Sequence, residues 1–189
     1  MFSHQELQFC TRCSLHKTRT YALAGEGNPD ADVMLIAQAP GECEDKENRM
    51  FVGPSGKILH SLLRETNITE HELYMTNLIK CTLPKNRRPK QEEVHACSYY
   101  LEQEIDTSHP SIVVPLGYYA TKYLFEKYGL QQFSKKEFPE HIAKLKVVED
   151  ITLFPLSHPA LVLYHQQLYD NAMKNFMKLY DLMKAIKQS

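Results

Sequence analysis

Four short apolar runs, separated by stretches with apolar residues at helical spacing, limit what this chain can fold into more than any other feature. The runs are VMLIA (residues 33–37), LYMTNLI (73–79), SIVVPLG (111–117) and ITLFPLS (151–157). Each is bounded by turn formers and reads as a buried strand. After the first comes KILHSLLRETN, with Ile58, Leu59, Leu62 and Leu63 on one helical face. After the second comes KQEEVHACSYYLEQEI, with Pro89 near its start, a favoured first-turn position. After the third comes YYATKYLFEKYG, closed by Gly129. Residues 166–187 read as a final amphipathic helix, and residues 130–150 take no clear assignment. The alternation predicts an α/β fold, a three-layer α/β/α arrangement around a central four-stranded, mainly parallel sheet.

Such sheets bind ligands in the loops beyond the carboxyl ends of their strands. Three polar loops fall there. They are QAPGECED after the first strand, Asn77 with the KNRR loop after the second, and SHPALVLYH after the fourth. The chain's least ordinary residues therefore gather at one edge of the sheet.

A length of 189 residues suits one domain spanning 1–189, with residues 1–30 as a polar N-terminal arm. No apolar run approaches the ~20 residues that cross a bilayer, and the N-terminus lacks a basic-then-apolar signal pattern. An intracellular monomer with no membrane association is expected. The net charge of −1 announces no bulk nucleic-acid affinity. Locally, residues 80–90 carry Lys80, Lys85, Arg87, Arg88 and Lys90 and no acidic residue. On charge alone this is a solvated loop.

Five cysteines without a signal peptide argue against a disulfide framework. Cys10 and Cys13 form a C-x-x-C pair, a chelating spacing for zinc or an iron–sulfur cluster. Cys81 follows the second strand, and Cys97 lies on the next helix. Metal ligation by these four, tethering the arm to the loop after the second strand, is the leading reading. A redox C-x-x-C and simple burial of Cys81 and Cys97 are the alternatives. Cys43 sits between Glu42 and Glu44, whose charges disfavour a thiolate, and is the spare.

At this point the residues resemble a known family. APGECEDKENRMFVGPSGKIL looks like the first motif of family 4 uracil-DNA glycosylases, NLIKCTLPKNRRP like their second block, and SHPALVL like their closing His-Pro motif. Cys10, Cys13, Cys81 and Cys97 fall in the order of that family's [4Fe-4S] ligands. The resemblance covers about residues 10–164. It implies an enzyme that flips uracil out of DNA and hydrolyses its N-glycosidic bond, leaving an abasic site, with uracil-containing DNA as its partner.

The resemblance also implies roles. Phe51 would stack the base, and Asn77 would read its Watson–Crick edge. An amide can accept from uracil N3–H and donate to O4, whereas cytosine presents the reverse pattern. His158 would donate to uracil O2 as charge develops there. Glu44 and Asn86 match positions implicated in activity: Glu44 by positioning or activating water, supporting an oxocarbenium-like sugar or walling off the thymine methyl, and Asn86 by holding water or phosphate, while Asp45 is an alternative carboxylate that caps or braces the loop. Gln38 and Ala39 would adjoin the uracil, and Lys85, Arg87 and Arg88 are candidate phosphate contacts. Residues 161–164 are candidates for the wedge that fills the vacated stack. Blander readings stand beside these: Phe51 as a core ring, Asn77 as a strand-end turn residue, His158 as a His-Pro turn. The chain departs from the family at Gln38 and Ala39, where Glu-Gly is usual, and at Thr82 and Leu83. Gln38 lacks the charge of the usual carboxylate, which motivates a second hypothesis, a binding relative with weakened catalysis. A zinc-stabilised α/β binding module is a third.

Overall fold

A computed structural model of the protein describes residues 4–187; the ends of the expected 1–189 domain, residues 1–3 and 188–189, lie outside the described residues. The chain folds as mixed α/β around one sheet of six strands, two more than the four expected. The strands are β1 (Glu26–Gly27), β2 (Val33–Ala37), β3 (Leu73–Asn77), β4 (Ile112–Pro115), β5 (Lys146–Val148) and β6 (Ile151–Leu153), in the order β1-β3-β2-β4-β6-β5. The additional pair, β1 and β5, are antiparallel edges. β1 is two residues long and β5 is largely exposed, so neither carries the apolar run that marks a buried strand.

The inner strands pair in parallel, with Ala37 opposite Asn77, Ile36 opposite Pro115, and Val113 opposite Leu153. Side chains alternate between two cores, as period-2 geometry requires. Val33, Leu35 and Ala37 join one core with α3 (Pro54–Glu65) and α7 (Tyr169–Lys187). Met34 and Ile36 join the other with α4 (Gln91–Ser108) and α5 (Tyr118–Lys127).

Three short helices stand in segments expected to be irregular: α1 (His4–Gln8), α2 (Glu42–Glu47) and α6 (Ala160–Tyr164). α2 forms because Glu42, Glu44 and Asp45 crowd its first turn, where the helix dipole favours anions. It ends at Asn48, in the left-handed region that caps helices. The parallel register brings Ala37, Asn77 and Pro115 to one sheet edge. A further parallel bridge, Leu116 with Leu156, ends two residues before His158. Among the described residues no helix is long and apolar enough to cross a membrane.

Candidate active site

The turn carrying Phe51 is the most strained part of this edge. Phe51 has φ 53°, a region that costs an aromatic residue about 1–2 kcal/mol. It persists because the surroundings over-determine it. Glu26 on β1 accepts from Met50 N–H (3.0 Å) and Arg49 Nε (3.0 Å). The Phe51 carbonyl lies against His60 Nε2 (3.1 Å) on α3 and packs onto Gly56, where a Cβ would stand 1.7 Å from it. Phe51 is buried in the same core as Leu59 and Leu62.

Met50, beside it, accepts a hydrogen bond from Asn77 Nδ2 at 3.2 Å, so the structure joins the Phe51 turn to the end of β3. Asn77 is buried and its backbone continues the β3 register opposite Ala37. A thioether is a weak acceptor, so this amide is held in place without a strong partner. Gln38 and Ala39 follow β2 directly, half-buried, with the Gln38 carbonyl accepting from Ile79 N–H (3.0 Å).

The two adjacent carboxylates of α2 face different partners. Glu44 is buried between Gly41 and Gly53 and accepts from Gly53 N–H at 2.7 Å. Asp45, also buried, accepts from Thr20 N–H on both oxygens (3.0 and 2.9 Å) and from Tyr21 N–H (3.2 Å). It braces the loop against the N-terminal arm.

His158 sits past β6 against Gly117, whose φ of 88° and lack of a Cβ allow the approach; a Cβ there would stand 3.1 Å from His158 Cβ. Burial pulls the His158 pKa down to about 4, so the ring is neutral at physiological pH. Its Nδ1 accepts from Ala160 N–H at 3.1 Å. In the neutral ring the proton then resides on Nε2, making that atom a donor.

The basic loop divides. Lys85 and Asn86 adopt left-handed backbone (φ 55° and 52°) and stand exposed, as does Arg88. Asn86 therefore lies at the solvent edge, outside the buried set. Arg87 is engaged: both its Nη atoms donate to Glu93, at 2.8 and 2.5 Å. Glu93 is fully buried, and Arg87 holds its carboxyl below the ordinary range. Lys80, grouped with these cations by sequence, is wholly buried and pairs with Glu104 (2.5 Å) and Thr76 (2.6 Å).

Cys10, Cys13, Cys81 and Cys97 line one small cavity between the arm and α4, whereas Cys43 is exposed on α2. Two of the sulfurs already accept N–H donors, Cys81 from Arg19 (3.2 Å) and Cys97 from Lys80 N (3.1 Å). Burial pushes the Cys97 thiol up to about 12 and raises Cys13 and Cys81. Such thiols become thiolates only with a strong cation beside them. Among the described residues, no three His, Cys, Asp or Glu side chains are gathered around a single ion. A four-iron cluster makes a different demand, since each thiolate binds its own iron and the set surrounds a volume. The donor set fits a sulfur-ligated group of that kind.

The model of the uracil DNA glycosylase superfamily matches residues 24–182. The chain belongs to the uracil-DNA glycosylase superfamily. It is 40% identical over 181 residues to a type-4 uracil-DNA glycosylase of Sulfurisphaera tokodaii, covering 94% of this chain and 82% of that one. A Saccharolobus solfataricus type-4 enzyme is 36% identical over 95% and 84%, and an Archaeoglobus fulgidus one 32% identical over 94% and 90%.

For this superfamily member, the structure brings together the Phe51 turn, Asn77 and the Glu44 loop, and places His158 beyond β6, against Gly117 at the end of β4. Sequence reasoning passed over Glu26, His60 and Gly117 and read Gly56 only as part of a phosphate-docking turn, whereas all four hold these groups. A signal was present for the glycines alone, since Gly53 and Gly56 flank a helix start. His60 and Glu26 look like ordinary surface residues until the fold is known.

Proposed function

We propose that the protein is a DNA repair glycosylase that takes uracil out of the duplex and hydrolyses its N-glycosidic bond, leaving an abasic site. The observation that carries this reading is Asn77, a buried amide fixed at the sheet edge beside the turn of an aromatic residue. An extruded uracil stacks on Phe51, worth about 1–3 kcal/mol for one base. Asn77 accepts from N3–H and donates to O4, trading its weak bond to Met50 for a carbonyl. His158 donates from Nε2 to O2 as the base departs as an anion, and its depressed pKa keeps the ring a neutral hydrogen-bond donor throughout. Glu44, anchored at one oxygen by Gly53, positions the attacking water with the other. Asn86 at the exposed lip orients water or phosphate. Gln38 and Ala39 supply backbone beside the base.

Lys85 and Arg88 contact DNA phosphates; Arg87 acts through Glu93 to shape their loop. Cys10, Cys13, Cys81 and Cys97 hold a [4Fe-4S] cluster, which when bound supplies a cross-link between arm, loop and α4. The working unit is a monomer on uracil-containing DNA, within the cell. The test is base release by cluster-replete protein from strands carrying uracil, hypoxanthine or thymine. Free uracil from the first, at far higher rate than thymine, is expected. Tight binding to uracil or abasic DNA without release would instead support the weakened relative that Gln38 suggests.

A further inference from the structure

We infer that Asp45 is a positioning residue, the latch through which the cysteine-bearing arm fixes the loop that carries Glu44. The inference rests on the glycosylase reading and extends it to what the arm does for catalysis. Asp45 and Glu44 are neighbours on a helix of six residues, too short to be stable alone. Its place must come from outside contacts. Glu44 binds Gly53, the residue that caps α3, so that bond ties α2 to the helix following it in the chain and leaves it unconnected to the cysteine-bearing arm. Asp45 is the side chain that reaches out. Three hydrogen bonds from consecutive amides, Thr20 and Tyr21, converge on its carboxylate. Both oxygens are occupied, which removes Asp45 as the water-activating base and leaves Glu44 for that role.

The donors belong to a rigid segment. Arg19, one residue earlier, donates to Cys81 Sγ (3.2 Å), Gln8 O (2.6 Å) and Cys10 O (3.0 Å). On the other side, Ala22 N–H donates to Gln8 Oε1 (3.3 Å), and Leu23 N–H to Lys80 O (2.7 Å). Residues 19–23 thus run from the cysteine cavity to the catalytic loop with a hydrogen bond at every position. A charged acceptor is the suitable choice, because two oxygens receiving amide protons bind more strongly than a neutral group. An ångström of drift at Glu44 is enough to cost about 10²-fold in rate.

The experiment compares cluster-replete wild type, Asp45→Ala and Asp45→Asn. It reads visible absorbance per chain, hydrogen exchange at the Thr20 and Tyr21 amides and along α2, kcat, and inhibition by free uracil. In Asp45→Ala the absorbance should stay unchanged and Thr20 and Tyr21 exchange should quicken by at least about ten-fold. kcat should fall by about thirty-fold while the uracil inhibition constant moves less than about two-fold. Asp45→Asn keeps the shape and one acceptor, so it should fold and lie between. Wild-type kcat in both variants overturns the latch, as does equal loss of kcat and uracil inhibition. Unchanged exchange at Thr20 and Tyr21 overturns it independently of activity. A wild-type protein that releases no uracil would instead overturn the glycosylase reading and leave the exchange result to decide the latch.

Discussion

The rim around Phe51 and the cysteine end of this molecule are held together in opposite ways. The rim depends on close approach: Phe51 at positive φ, its carbonyl pressed onto Gly56, and His158 against Gly117. A Cβ at Gly56 would collide with the Phe51 carbonyl, and one at Gly117 would crowd His158 from a strained backbone. The cysteine end depends on reach. Arg19 spans 62 positions to Cys81, and the buried Lys80 on its loop pairs with Glu104 on α4. Its parts are far apart in sequence and are joined by side-chain hydrogen bonds. The lesson is a division of labour. Damage to the rim should stop turnover in a folded protein, whereas damage to the cysteine end should loosen the protein and leave the reacting groups present.

The widest gap is expected for Asn77→Ala, which should cut uracil release by about 10²–10³-fold while shifting Tm little, by steady-state assay and thermal melting. Release at the wild-type rate would break the comparison on the rim side. Gly56→Ala comes next. It should cut release by roughly 10²-fold and cost about 2–4 kcal/mol in denaturant unfolding, because its new methyl meets backbone. Cys97→Ser should reverse the pattern: loss of brown absorbance and a Tm lower by roughly 5–10 °C, with less than about ten-fold loss of turnover per folded chain. His60→Ala should be milder, raising KM about three-fold, with His60→Gln restoring the donor to the Phe51 carbonyl. The smallest effect concerns pH. Because burial holds His158 near 4, release should stay flat from about pH 8 to about pH 5 and fall as the ring protonates near 4. The sign for stability is the same. The unfolded ring takes up its proton near its ordinary 6.5, so stability contributed by neutral His158 is present above that value and lost as pH falls from 6.5 toward 4.

The inner sheet was legible because four apolar runs had nowhere to go except a buried parallel sheet. β1 and β5 were not, since edge strands of two and three residues carry no run. α2 hid inside a loop rich in charge, its acidic first turn being the one clue. Spacing alone pointed to the cysteines as a metal-ligating set, and the resemblance pointed to an iron–sulfur cluster in place of zinc. Lys80 misled: a lysine in a basic stretch looks solvated, and its burial depends on Glu104, 24 positions on. Arg87 misled in the same way through Glu93. Asn77 stood out as a polar residue in a strand run, but its partner Met50 could be known from the fold alone. Local pattern reveals elements and candidate groups; the tertiary partners that decide which charge is free are non-local.

The most direct test is a structure of the cluster-replete protein with abasic DNA and free uracil. The uracil ring should lie stacked on Phe51, with Asn77 within hydrogen-bond distance of N3 and O4 and His158 Nε2 on O2. Uracil bound elsewhere, or His158 turned so that Nδ1 faces the base, would contradict it.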